Sequence, residues 1–206
     1  MSTPISFYFA CPSPWSYLSL DALREIGKRF ERDIEYKPID VERAWRETKT
    51  GRPLGEKPHA LQRYRHLDLP RWATYRKVEI DPAPKNLNPA TKFLSSKIII
   101  AAHQQGAELH LLVRAFMQAC WVDNKDISDA QTLVSIADAE GLDGAALLTE
   151  TDHAAVADEF SANTSEALNF GAWSVPSFVV DGELFYGQDR LDLIAWRLSS
   201  EQTPQG

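Results

Sequence analysis

Cys11-Pro12-Ser13-Pro14-Trp15-Ser16-Tyr17-Leu18 is the stretch on which the reading of this chain turns. Before it stands Ile5-Ser-Phe-Tyr-Phe-Ala10, a short aromatic run with the makings of a buried strand. Within it, Ser13-Pro14 marks the start of a helix. A serine oxygen caps an unpaired amide, and proline suits the first helical position because its missing N–H is not needed there. Leu18, Ala22, Leu23, Ile26 and Phe30 continue one helical face. Lys28 and Arg29 fall near its end, where the helix dipole favours positive charge. Asp33 to Ile39 reads as a second strand, with Ile34, Tyr36 and Pro38 on one side.

From Val41 to about Phe170 helical patterns dominate. Lys57-Pro58 opens a helix reaching about Tyr75, with Pro70 expected to break it. Residues 81–91 hold Pro82, Pro84, Pro89, Asn86 and Asn88 and predict a loop. Leu94 to about Gly106 and Leu109 to Cys120 predict two further helices. Ser128 is the expected cap of another, ended by Gly141, and a last one runs from about His153 to Gly171. Strand signals then return in Ser177-Phe-Val-Val-Asp181. Asp181-Gly182 is a hairpin signal, with Glu183 to Tyr186 as the partner strand. After Gly187 comes a final helix with Asp189 at or near its cap and Leu191, Ile194 and Leu198 on its apolar face.

The order is β-α-β, a helical block, then β-β-α. This is the plan of an α/β thioredoxin-like domain, here residues 1–40 plus 171–206, split by a helical insertion over residues 41–170. The N-terminus of the first helix is where that fold keeps a C-x-x-C pair. Here the place is taken by Ser13-Pro14-Trp15-Ser16, so hydroxyls stand where sulfurs would. Disulfide chemistry is lost, but the helix start still favours an anion. A thiolate brought by a small molecule is such an anion, and Ser13 is placed to hydrogen-bond it.

Composition bounds the alternatives. The chain has 206 residues, 22 Lys plus Arg against 29 Asp plus Glu, a formal charge of −7, and 44% apolar residues. That is enough to bury a core. The acidic balance and the lack of a basic block argue against nucleic acid as a partner. The longest apolar stretch, Ile98 to Ala102, falls far below the roughly 20 residues of a membrane span. With no basic segment at its start and Pro12 and Pro14 interrupting the apolar run, the N-terminus does not read as a secretion signal, and a cytoplasmic protein is expected. Cys11 and Cys120 form no CxxC pair, and the five histidines form no HxH or HExxH pattern, so no metal site is expected.

Several motifs together resemble the 2-hydroxychromene-2-carboxylate isomerase family, related to kappa-class glutathione transferases. They are Phe7-Tyr8-Phe9, Ser13 to Leu18, Asp68-Leu69-Pro70-Arg71-Trp72-Ala73, Trp121, Gly171 to Pro176, and Phe185 to Leu191. The resemblance implies glutathione as cofactor, with Ser13 as the catalytic serine facing its sulfur. Val175, before a cis Pro176, would pair its backbone with the cysteinyl part as an added strand does. Gln188 and Asp189 would hold the γ-glutamyl end, and Arg190 is a further cofactor-binding residue. It also implies isomerisation of an aromatic substrate by reversible thiolate addition, and a homodimer. Trp15, Trp45, Arg52, Gly55 and Asn86 are the residues expected near the substrate.

The chain departs from that family in its middle. Trp45 stands where a lysine is usual, Arg52 or Gly55 where an asparagine is usual, and Leu61 where a second lysine is usual; Asn86, Leu87 and Asn88 match in part. The thiol half of the site is thus kept, while the substrate half and the glycyl end are altered. Arg52, Lys57, Arg63 or Arg65 are the candidates to supply the missing positive charge. Two other readings stay open: a kappa-like transferase, and a thioredoxin-like binding module without catalysis. Ser13-Pro14 and Asp189 are also what helix starts need with no chemistry at all. Cys11, two residues before Ser13, reads either as a small buried side chain or as a second thiol at the site.

Overall fold

The computed structural model describes residues 3–86 and 93–201, the side chains of Leu54 and Glu201 excepted. The expected loop residues Leu87, Asn88 and Pro89 lie outside the described residues. No helix among the described residues is long and apolar enough to cross a membrane.

A four-stranded sheet is built from β1 (Ile5–Phe9), β2 (Ile34–Pro38), β3 (Ser177–Val180) and β4 (Glu183–Tyr186), in the order β2-β1-β3-β4. β1 and β2 are parallel and are joined by α1 (Pro14–Phe30); β3 runs antiparallel to both β1 and β4. The chain returns to the sheet 139 positions after β2 ends (Pro38 to Ser177). Between them come α2 (Val41–Thr48), α3 (His59–Arg76), α4 (Leu94–Gln104), α5 (Leu109–Trp121), α6 (Ala130–Ala139), α7 (Gly144–Glu150) and α8 (Ala154–Asn169). α9 (Leu191–Glu201) closes the fold. This is the mixed α/β thioredoxin-like architecture with a large helical insertion.

β1 holds the two parts together because both of its faces are buried. Phe7 stacks on Phe9 and on Phe178 of β3, at ring centroid separations of 4.9 and 5.3 Å, and Tyr36 of β2 meets Phe7 edge-on. The Phe7 face shares one contiguous cluster with Leu20 and Leu23 of α1, Ile98–Ala102 of α4, and Phe116, Met117 and Trp121 of α5. Tyr8, on the other face, packs with Ile39, Ala167 and Val179. The inserted helices therefore bury their apolar surface against the sheet itself. Each fully buried Phe or Leu contributes about 1.5–3 kcal/mol.

Three local expectations are corrected. α3 runs unbroken through Pro70. The proline lies on the exposed side, where a missing helix hydrogen bond costs least, while Leu69 and Ala73 on the other side pack against Leu18. Asp129, not Ser128, caps α6: its carboxylate accepts from the Thr132 N–H, and Ser128 bonds Asp126 instead. Asp189 makes no cap bond among the described residues. It sits in a 3-10 turn, Gln188–Arg190, ahead of α9, and its carboxylate meets the Arg190 guanidinium at 2.7 Å.

Candidate active site

β1 ends at Phe9, and the chain turns through Cys11 and Pro12 to start α1 at Pro14. Ser13 holds that turn at three points. Its N–H donates to the Ala10 carbonyl at 3.0 Å, its carbonyl accepts from the Tyr17 N–H at 3.1 Å, and its Oγ accepts from the Ser16 N–H at 3.2 Å. Ser13 is thus an N-cap, as serine before proline predicts. The cap bond uses only a lone pair, so the hydroxyl proton remains free to be donated outward. Pro14 has no N–H, and no described residue bonds the Trp15 N–H. A hydroxyl, a free amide and the positive end of a seventeen-residue helix converge there.

Ser16, where the second sulfur of a redox pair would stand, is fully buried, and its hydroxyl has no partner among the described residues. It lines no cavity at the surface. Cys11 and Cys120 are buried as well, and burial pushes both thiols up to about 12. Cys11 is the small buried side chain of the two readings above. The native protein is expected to take up no iodoacetamide at neutral pH, and one equivalent at each of its 2 cysteines once unfolded, counted by mass spectrometry. Native labelling at the rate of a free thiol contradicts this burial.

Two cavities adjoin at the start of α1 and share Trp15, Val175 and Tyr186 as a common wall; Ser13 lines the larger. The larger, about 390 Å³, is a cleft between Ser13, Ile39, Val41, Trp45 and Phe93. Its rim carries Glu42 and three cations, Arg52, Lys57 and Arg65. No carboxylate among the described residues pairs with any of these cations. Arg65 is half-buried, and burial alone lowers its guanidinium from the ordinary value, which leaves it charged and short of a counter-ion. The Trp45 Nε1 donates to Ser174 Oγ at 3.1 Å, and Gly51 lies so close to the Trp45 indole that any Cβ there would fall inside the ring. Burial raises the Tyr186 phenol, so it is a neutral O–H donor.

The smaller cavity, about 190 Å³, lies beyond Val175 and is lined by Asp68, Trp72, Pro176, Gly187, Gln188 and Asp189. The Val175–Pro176 bond is cis. The Pro176 carbonyl accepts from the Gly187 N–H at 2.9 Å, while the backbone N–H and C=O of Val175 have no partner among the described residues. An extended backbone laid along Val175 finds one donor and one acceptor ready. Gly187 has φ +102, a conformation open to glycine, and a Cβ there would strike Asp189.

The fold thus brings Ser13, Trp15, Trp45, Arg52, Gly55, Val175, Pro176, Gln188 and Asp189 onto two adjoining cavities. It does not bring Asn86 there; its amide bonds the Asn124 loop. Arg190 lines neither cavity, and Arg63 is exposed on α3 away from both. Sequence reasoning missed Arg76. Its Nε and Nη2 donate to the Oε1 and main-chain oxygen of Gln188 at 3.2 and 2.9 Å. Nothing local signals a pair 112 positions apart. Among the described residues no three His, Cys, Asp or Glu side chains converge as metal ligands.

The model of the DSBA-like thioredoxin domain matches residues 4–199. The chain belongs to that family. Its relatives include the 2-hydroxychromene-2-carboxylate isomerase of Sphingobium xenophagum, 29% identical over 195 residues, with 94% of this chain and 97% of that protein covered. Another is glutathione S-transferase kappa 1 of Caenorhabditis elegans, 24% identical, with 96% and 92% covered. A solved 2-hydroxychromene-2-carboxylate isomerase superposes with a TM-score of 0.79 at 22% identity, covering 96% of this chain and 95% of the other, which fixes the shared fold. At the start of α1 this chain reads Ser13-Pro14-Trp15-Ser16, which holds no cysteine pair.

Proposed function

We propose that this protein is a glutathione-dependent isomerase acting on an aromatic carbonyl compound that carries an anionic group. The observation that carries the reading is the placement of Ser13. Ser13 lines an aromatic-walled cleft rimmed by Arg52, Lys57 and Arg65, and that cleft shares Val175 with the cavity that holds Asp189. The names of the relatives point the same way.

Glutathione fits the residues present. Val175 offers its N–H and C=O to the cysteinyl backbone, and Asp189 and Asp68 offer carboxylates to the γ-glutamyl ammonium. When bound, glutathione supplies a nucleophilic sulfur that adds reversibly to a conjugated carbonyl, permits rotation about the former double bond and leaves unchanged. Ser13 donates its hydroxyl proton to the sulfur, and the Trp15 N–H and the α1 dipole add to the same positive field. Trp15, Trp45 and Phe93 exclude water and align a flat ring. Arg65, half-buried and paired with no carboxylate among the described residues, draws the anionic end inward.

The test is product analysis with glutathione and an aromatic unsaturated oxo acid. An isomerase returns all the free thiol and changes only the geometry or ring state of the substrate. Stoichiometric loss of thiol into a conjugate assigns the kappa-like transferase instead. Neither turnover nor glutathione binding assigns the non-catalytic module.

A further inference from the structure

Asp189 sits on a short, partly exposed turn, and a single 3-10 turn has little stiffness of its own. Two anchors fix it. One is the Gly187 N–H bond to the carbonyl of cis Pro176. The other comes from the inserted helices. Arg76, at the end of α3, spans the gap with two hydrogen bonds to Gln188, one to its side chain and one to its main-chain oxygen. Its side chain is 10% exposed. The guanidinium lies 5.6 Å from the Trp72 ring centre and 5.4 Å from that of Tyr75, so its direction is set by stacking as well as by charge. The carboxylate in reach, Asp192, is 3.9 Å away and 70% exposed, so it screens the cation weakly. Asp68 and Trp72, on the same helix, line the cavity that Asp189 faces.

We propose that Arg76 is the positioning residue of the γ-glutamyl end: by clamping Gln188 it holds Asp189 at the cavity wall, and so couples the inserted helix α3 to cofactor affinity. This rests on the glutathione reading above. A planar fork makes both bonds from one stacked position, and an ammonium does not reproduce that. Arg76 itself lines neither cavity, so its effect runs through the wall residues it touches, Gln188 by hydrogen bonds and Trp72 by stacking.

The experiment is calorimetry of wild type, Arg76→Gln, Arg76→Lys and Gln188→Met with two probes: glutathione, and cysteinylglycine, which lacks the γ-glutamyl residue. Arg76→Gln is expected to weaken glutathione about tenfold, the loss of one to two charge-assisted hydrogen bonds. It leaves cysteinylglycine affinity unchanged. Arg76→Lys fails to restore glutathione affinity, and Gln188→Met, which keeps the side-chain volume and the main-chain bond, loses a smaller factor of the same kind. At saturating glutathione the kcat of the Arg76 variants stays within about twofold of wild type, because the reacting end is untouched. Equal losses for both probes mean Arg76 only stabilises the fold and overturn the proposal. So does unchanged glutathione affinity in Arg76→Gln. If Arg76→Gln does not fold, Arg76→Lys decides on the same two probes. Wild type that binds no glutathione overturns the functional reading itself, a result distinct from either of these.

Discussion

Replacing Ser13 by alanine is expected to lower turnover about a hundred- to a thousandfold, the range seen when one preorganised donor to a reacting anion is removed. The protein should stay folded. As a cap, Ser13 satisfies one amide, and its loss costs about 1 kcal/mol against a total stability of about 5–15 kcal/mol. For a chain of this length that is a fall in Tm of about 2–4 °C. The pH profile separates the two roles. A hydroxyl donated to a thiolate holds the thiol's pKa down, so the reactive form persists as pH falls toward that lowered value. Without the hydroxyl the pKa rises, the acid limb of kcat moves to higher pH, and the variant recovers part of its rate in alkali. Wild-type kcat with a small fall in Tm would mean that Ser13 is a cap and no more.

The largest stability effect is expected at Trp121. It is fully buried at the end of α5, and its Nε1 donates to the Cys11 carbonyl at 3.2 Å, two residues before Ser13. Its own carbonyl accepts from the Asp81 N–H at 2.6 Å. Trp121→Ala empties a large volume, at about 3–5 kcal/mol. It also strips the Cys11 carbonyl of its partner, at about 1–3 kcal/mol more. Together these approach the whole stability of an ordinary domain. Trp121→Phe keeps most of the packing and isolates the lost hydrogen bond. Urea unfolding measures both. A cost below about 1 kcal/mol for the alanine variant would contradict a core shared between sheet and insertion.

The fold was legible because its boundaries are written in local chemistry. Ser13-Pro14 starts α1, and Asp181-Gly182 turns β3 into β4 with both residues at positive φ. Ile5–Phe9 is aromatic at every odd position from Phe7 on, and both faces prove buried. The misreadings have local causes too. Pro70 faces solvent, where a missing hydrogen bond costs least, so the apolar packing of Leu69 and Ala73 prevails over it. At the start of α6, Ser128 and Asp129 are both good caps, and the neighbouring Asp126 draws Ser128 away.

The site divides in the same manner. Ser13, Val175 and Asp189 lie at the ends of sheet elements, and short motifs find them. The cleft's far wall is assembled from α2, the loop after it, and α3. Which of Arg63 and Arg65 faces inward depends on helix rotation, which the sequence of α3 leaves open because its apolar side chains are spread around the helix. Leu61, Tyr64, Leu67 and Tyr75 are exposed while Leu69 and Ala73 are buried. Arg76 was out of reach of sequence reasoning for another reason. Its partner belongs to the last part of the chain, and only the folded sheet brings α3 beside it.

The measurement that bears most directly on the account is glutathione binding by calorimetry to wild type and Asp189→Ala. The account predicts saturable binding of one glutathione per chain. The affinity should fall about ten- to a hundredfold in the variant, as expected when a charge-assisted bond to the ammonium is removed. Binding of equal strength in both proteins, or none to the wild type at several times the physiological millimolar concentration, would contradict it.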